Sequence, residues 1–134
     1  MKIKLQTIGL IVTDMAKTLA FYTVLGLPIP PGLEEETNVD FDMAEGITLG
    51  FLSEATARQA DPDFVTPVGQ SMNLQFIVDS PNAVDEIYNQ IMAAGYQSYS
   101  APYSAPWDAF WGQRFARVID PDGRIVNIYA HLPS

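Results

Sequence analysis

Apolar and polar positions along this chain switch between two periods, and they do so twice in the same order. Residues 4–12 (KLQTIGLIV) alternate and are rich in aliphatic and β-branched side chains, which predicts a strand. Thr13 and Asp14 then offer a cap for a helix in which Met15, Leu19, Tyr22 and Leu25 share one face. Gly26 stands where a left-handed C-terminal residue is wanted. Sixty-six residues on, the plan recurs, with Leu10 over Phe76, Val12 over Val78 and Tyr22 over Tyr88. Residues 72–78 (MNLQFIV) predict a strand, Ser80 a cap, and Pro81 the first helical position. Val84, Ile87, Tyr88 and Ile91 form the buried stripe, and Gly95 ends the helix.

Short strands follow each helix. In the first half they are 38–43 (NVDFDM) and 47–52 (ITLGFL), joined by a turn at Ala44-Glu45-Gly46. In the second they are 96–99, 114–119 (RFARVI) and 124–130 (RIVNIYA), the last two joined by Asp120-Pro121-Asp122-Gly123. Aligning the turn glycines places Gly50 over Asn127. The pattern therefore predicts an α+β fold of two βαβββ modules, about 1–53 and 70–134, joined by a linker of about 54–69. Their curved, mostly antiparallel sheets would surround a cup in one domain spanning 1–134. Strand alternation sends Ile8, Leu10, Val12, Leu74, Phe76, Val126 and Ile128 toward the helices. Thr7, Gly9, Ile11, Asn73, Gln75, Ile125, Asn127 and Tyr129 are expected to face the cup.

Composition narrows the function. At 134 residues the chain buries enough surface to fold without a staple, and with no Cys it has no disulfide, thiolate metal site or cysteine nucleophile. Seven Lys and Arg against sixteen Asp and Glu give a net charge of −9, which repels polyanions, so no nucleic acid is expected as partner. Nine of those acids lie between residues 34 and 63, read as a solvated face or a field for a cationic ligand. No apolar run approaches the ~20 residues that span a bilayer. Gln6, Thr7 and Asp14 interrupt any signal-like segment behind Met1-Lys2-Ile3-Lys4. A cytoplasmic protein with no membrane partner is the expectation.

The opening TIGLIVTDMAKTLAFYTVLGL and the closing WGQRFARVIDPDGRIVNIYA resemble the two ends of the vicinal oxygen chelate superfamily. That group holds glyoxalases, extradiol dioxygenases and bleomycin-resistance proteins. The resemblance covers nearly the whole chain. It implies that metal-dependent relatives would place ligands at the positions of Thr7, Gly50, Asn73 and Asn127. A threonine, a glycine and two neutral amides do not supply the imidazole or carboxylate donors such an ion needs, so no metal and no cofactor are expected. In type the chain is closest to the metal-free bleomycin-resistance-like proteins. The lone His131 follows the last predicted strand and reads as a surface or packing residue. The resemblance also implies a homodimer.

Seven of the fifteen aromatic residues fall between positions 96 and 115, and Tyr103, Trp107, Phe110 and Trp111 sit in what reads as a loop. Such rings stack on a planar ligand, bury at a subunit interface, or close a lid over their own core. The leading expectation is metal-independent sequestration of a small planar, neutral or cationic organic molecule. Those four rings would stack, Thr7, Asn73, Gln75 and Asn127 would hydrogen-bond, Gly50 would line the site, and Asp40 or Asp42 would favour a positive group. One alternative is a glyoxalase-type lyase or isomerase with displaced ligands or a carboxylate base drawn from Asp40, Asp42, Glu45 and Asp108. Another is an interaction subunit without a small ligand. Arg114 and Asp120 read as structural, fixing a strand entry and a turn.

Overall fold

The structure, a computed structural model, describes residues 2–67, 72–99 and 105–134. It divides into two compact units, Met1–Ala20 with Pro28–Pro67, and Phe21–Leu27 with Val68–Ser134. The chain is α+β, with three α-helices and two open sheets among the described residues. None of its helices is long and apolar enough to cross a membrane, among the described residues.

The first unit holds β1 (Thr7–Val12), β2 (Asn38–Asp42) and β3 (Thr48–Ser53) in the order β1-β3-β2. β1 runs parallel to β3, and β2 runs antiparallel to it. Alternation sorts the faces as expected. Val39, Phe51 and Leu10 form one buried row, and Phe41 and Leu49 lie in the next. The turn between β2 and β3 needs left-handed backbone at Glu45 (φ 64°) and Gly46 (φ 80°), and Met43 N–H closes it on the Ile47 carbonyl at 2.7 Å. Among the described residues the sheet has three strands, one fewer than the repeat predicted for this half. The segment read as linker contains a helix, α2 (Glu54–Ala60), which lies against β3 and β1. Residues 68 and 69 of that segment lie outside the described residues.

Helix α1 (Met15–Leu25) starts where Asp14 accepts the Lys17 N–H at 3.0 Å. Its last turn, from Phe21 onward, belongs to the second unit. There Phe21 meets Tyr96 edge to face at 5.0 Å, and Tyr22 is fully buried.

The second unit carries β4 (Leu74–Ile77), α3 (Pro81–Ala93), β5 (Gln97–Ser98), β6 (Trp107–Ala109), β7 (Gln113–Ile119) and β8 (Ile125–His131). The sheet order is β4-β8-β7-β5, with β6 on β7, and only the β4–β8 pair is parallel. Ser80 caps α3 by accepting the Ala83 N–H, and Pro81 opens the helix. Val84 and Ile91 of α3, with Ala116, Val118, Val126 and Ile128 of the sheet, are buried, and α3 lies against β7, β8 and β5. Trp107 lies in a short strand, not a loop, because its backbone pairs with Phe115. His131 is the last residue of β8 rather than the one after it, and it is exposed.

Arg114 ties three of these elements together. Its guanidinium donates to both oxygens of Asp85 on α3, at 3.0 and 3.2 Å, and to Asp108 on β6 at 3.1 Å. The hydrogen bonds it donates to Asp85 hold its pKa above the usual arginine value. This is the structural role expected of Arg114.

Candidate functional site

Each sheet has one face built from the residues that alternate away from its buried row. On the first sheet that face carries Thr7, Thr48 and Asp42 in one row, and Gly9, Gly50 and Asp40 in the next. Asp42 accepts a hydrogen bond from the Thr48 hydroxyl at 3.2 Å. Asp40 sits directly across from Gly50, and a Cβ added there would lie 2.8 Å from Asp40 Oδ1 and 3.9 Å from Thr7 Cγ2. The lack of a side chain at 50 is thus filled by the carboxylate of its neighbour. Thr7, Asp40, Asp42 and Gly50, all named from the sequence, do come together.

The second sheet repeats the geometry. Gly9 registers with Gly50, and Gln75 registers with Asn127, as the repeat alignment required. Asn73, expected inside a strand over 72–78, lies just before the start of β4 and is exposed. Across β7 the row continues to Arg117, which registers with Asn127. Asn127 is 4% exposed, and its Oδ1 is buried with no hydrogen-bond partner. Arg117 is half-buried, its Nε likewise without a partner, and its guanidinium carbon lies 5.4 Å from the Phe115 ring centroid and 5.7 Å from that of Tyr99. Arg117 and Tyr99 were not among the residues singled out from sequence.

The neighbouring row is aromatic. Ile77, Tyr129, Phe115 and Trp107 are successive register partners across β4, β8, β7 and β6. Phe115 and Tyr129 stack at 6.4 Å, and Trp111 meets Phe115 and Trp107 edge on, each at 5.5 Å. Trp111 donates its indole N–H to Gln113 at 2.8 Å, and Phe110 lies against it at 4.8 Å while remaining 91% exposed. Trp107, Phe110 and Trp111 therefore form one cluster. Tyr103, named with them, lies outside the described residues.

A divalent ion does not fit these positions. Gly50 and Thr7 offer no charged donor, and the cross-strand neighbour of Asn127 is a guanidinium, which repels a cation. Among the described residues, no three His, Cys, Asp or Glu side chains gather so as to hold a metal.

Two sheets, each with one parallel strand pair and antiparallel neighbours, written from one repeated plan, define a paired-module α+β protein. The chain belongs to the Glyoxalase/Bleomycin resistance protein/Dioxygenase superfamily, whose family model matches residues 4–128. Its fold is similar to that of a glyoxalase/bleomycin resistance protein/dioxygenase family enzyme from Burkholderia phytofirmans PsJN. That pair has 23% identity and a TM-score of 0.77, covering 95% of this chain and 98% of that one. It is also similar to a glyoxalase-related enzyme from Fulvimarina pelagi (23% identity, TM-score 0.78, 96% of this chain and 88% of that one). A third likeness is to a glyoxalase/bleomycin resistance protein/dioxygenase from Nocardioides (22%, 0.73, 100% and 87%). Among curated proteins none matches. At these identities the likeness is one of fold, and fold alone does not assign an activity.

Proposed function

We propose that the chain binds a small planar organic molecule without a metal and holds it without chemistry, in the manner of a sequestering protein. The observation that carries this reading is the continuous aromatic row Tyr129–Phe115–Trp107, extended by Trp111, next to orphaned polar atoms on one sheet face. Rings supply stacking area, while a few fixed polar groups orient a guest. The donor set at Thr7, Gly50, Asn73 and Asn127 supports metal independence, because it lacks the imidazoles and carboxylates of a catalytic ion site.

Both tryptophans of the chain lie in this cluster, so a planar guest stacked there is expected to quench or shift their emission. Trp111→Ala should weaken that binding by about 1–3 kcal/mol if the ring is a main anchor. A titration in which a bound planar compound leaves both indoles unchanged would place the guest elsewhere and remove the basis of this reading.

One observation favours a second reading. Asp40 fills the space beside Gly50, where the resemblance puts a ligating carboxylate, so a lyase or isomerase could draw its acid–base group from Asp40. Asp40→Asn would abolish such an activity and leave sequestration on the second sheet untouched.

A further inference from the structure

We propose that the guest is a planar organic carboxylate, and that Arg117 on the second sheet is the residue that selects it. This rests on the reading of that sheet face as a binding surface and supplies the sign of the ligand's charge.

The chain has four arginines and more than twice as many acids as bases. Arg58 pairs with Glu54, Arg114 with Asp85 and Asp108, and Arg124 with Asp120. Arg117 forms no ion pair among the described residues, although it is half-buried in a chain with carboxylates to spare. The two rings beside it, Phe115 and Tyr99, meet the face of the cation and do not replace hydrogen bonds in the guanidinium plane. Its buried Nε–H is an unmet donor, and such a donor is costly in a folded interior. An oxyanion from outside the chain meets that need. A carboxylate presents two parallel acceptors, which match Nε and the adjacent Nη of one guanidinium edge.

The neighbours fit the same guest. Asn127 is nine-tenths buried, stands in register with Arg117 and carries an unmet Oδ1. That oxygen takes a hydrogen bond from a hydroxyl on the ligand, or the amide turns over and offers its N–H₂ to the carboxylate. One row along the strands, about 7 Å away by the rise of two residues, stand Phe115 and Tyr129. A carboxylate at Arg117 places an attached ring over that row. Composition pointed to a neutral or cationic guest because the chain is acidic. Yet on the first sheet Asp42 already accepts from Thr48, and on the second sheet the local charge is positive. The local group decides, because long-range charge is screened within about 10 Å at ordinary salt.

The test uses three probes of one shape: 2-naphthoate, 2-naphthamide and 2-naphthylmethylammonium, titrated calorimetrically into the full chain. The carboxylate is expected to bind at least tenfold more tightly than either partner. Arg117→Gln should erase that preference, bringing the carboxylate's affinity down to that of the amide, and Arg117→Lys should recover part of it. The amide or the ammonium binding as tightly as the carboxylate to the unaltered chain overturns the proposal and leaves the planar-guest reading standing. None of the three binding overturns both, and would mean that Arg117 and Asn127 hold only a bridging water. The comparison of probes on the unaltered chain decides the matter even if the Arg117 variants fold poorly.

Discussion

The Asp120 carboxylate accepts four hydrogen bonds among the described residues. Its Oδ1 accepts the backbone N–H groups of Asp122 and Arg124, both at 2.9 Å, which builds the turn between β7 and β8. Its Oδ2 accepts the Arg124 Nη1–H at 2.9 Å and the Tyr22 hydroxyl at 2.8 Å. Burial raises the Tyr22 pKa well above its ordinary value of 10.0, and the nearby Asp120 charge and hydrogen bond raise it further. A phenol held neutral in the fold binds its proton more tightly there than in the unfolded chain. Its contribution is therefore complete below pH 10 and is lost as pH climbs above it. Tyr22→Phe should cost about 2 kcal/mol at neutral pH, the scale of a hydrogen bond to a charged group. Above pH 10 the difference between the two proteins should shrink, as urea denaturation at pH 7 and pH 11 would measure. A constant gap across that range would mean that Tyr22 ionises in the fold as readily as outside it. The sequence marked Asp120 as a turn residue through its Asp-Pro-Asp-Gly setting, but the Tyr22 partner, 98 positions away, carries no local signal. Arg117 was legible in principle. The turn fixes Ile119 opposite Ile125, and counting back by twos places 117 opposite 127 on the face already assigned to ligand. What no pattern shows is which arginine lacks a carboxylate, since that depends on where Asp85, Asp108 and Asp120 come to rest.

Among the elements, α2 is the one that the sequence hid. Pro62, Pro67 and a polar composition made residues 54–69 look like a connector, and the helix within it buries only Ala57. The signals were local and present. Ser53 accepts the Thr56 N–H at 3.2 Å as an N-cap, and Glu54 pairs with Arg58 at 2.7 Å one turn on. Thr66 also donates to Glu54 at 2.6 Å, folding the following chain back, and these two hydrogen bonds hold the Glu54 pKa below the usual carboxylate range. A helix of seven residues is marginal on its own, so its cap and its seat on β1 and β3 carry it. Ser53→Ala is expected to destabilise the fold by about 1 kcal/mol in urea denaturation. No change would mean that α2 frays without effect on the sheet beneath it. The long periodic elements were easier to read. β1, α1, α3 and β8 each bury two or more residues on one face, and burial of that kind imposes a period, whereas β6 gains its strand character only from pairing with β7.

At the scale of the whole molecule, the two sheets share a plan while their chemistry has diverged. The strand offset of 66 residues and the pairing of 9 with 50 and of 75 with 127 show that the same parallel strand pairing occurs in both sheets. In the first, an acid stands beside a glycine; in the second, an arginine stands beside an amide. With one His and no Cys in the chain, a native metal would have to rest on carboxylates with at most one imidazole. A metal bound only by the folded state stabilises it by mass action, by about 2.7 kcal/mol at a hundred times its Kd, so stripping it lowers the melting temperature. Removing metal with EDTA should leave the melting temperature of this protein unchanged. The comparison has to be made at matched ionic strength, because a molecule of net charge −9 repels itself and is stabilised by added salt of any kind. Unmatched, the sodium salt of EDTA would raise the melting temperature and conceal the loss of an ion. A fall at matched ionic strength, reversed by zinc or nickel, would reveal a native-state metal and move the balance from sequestration to the enzyme reading centred on Asp40.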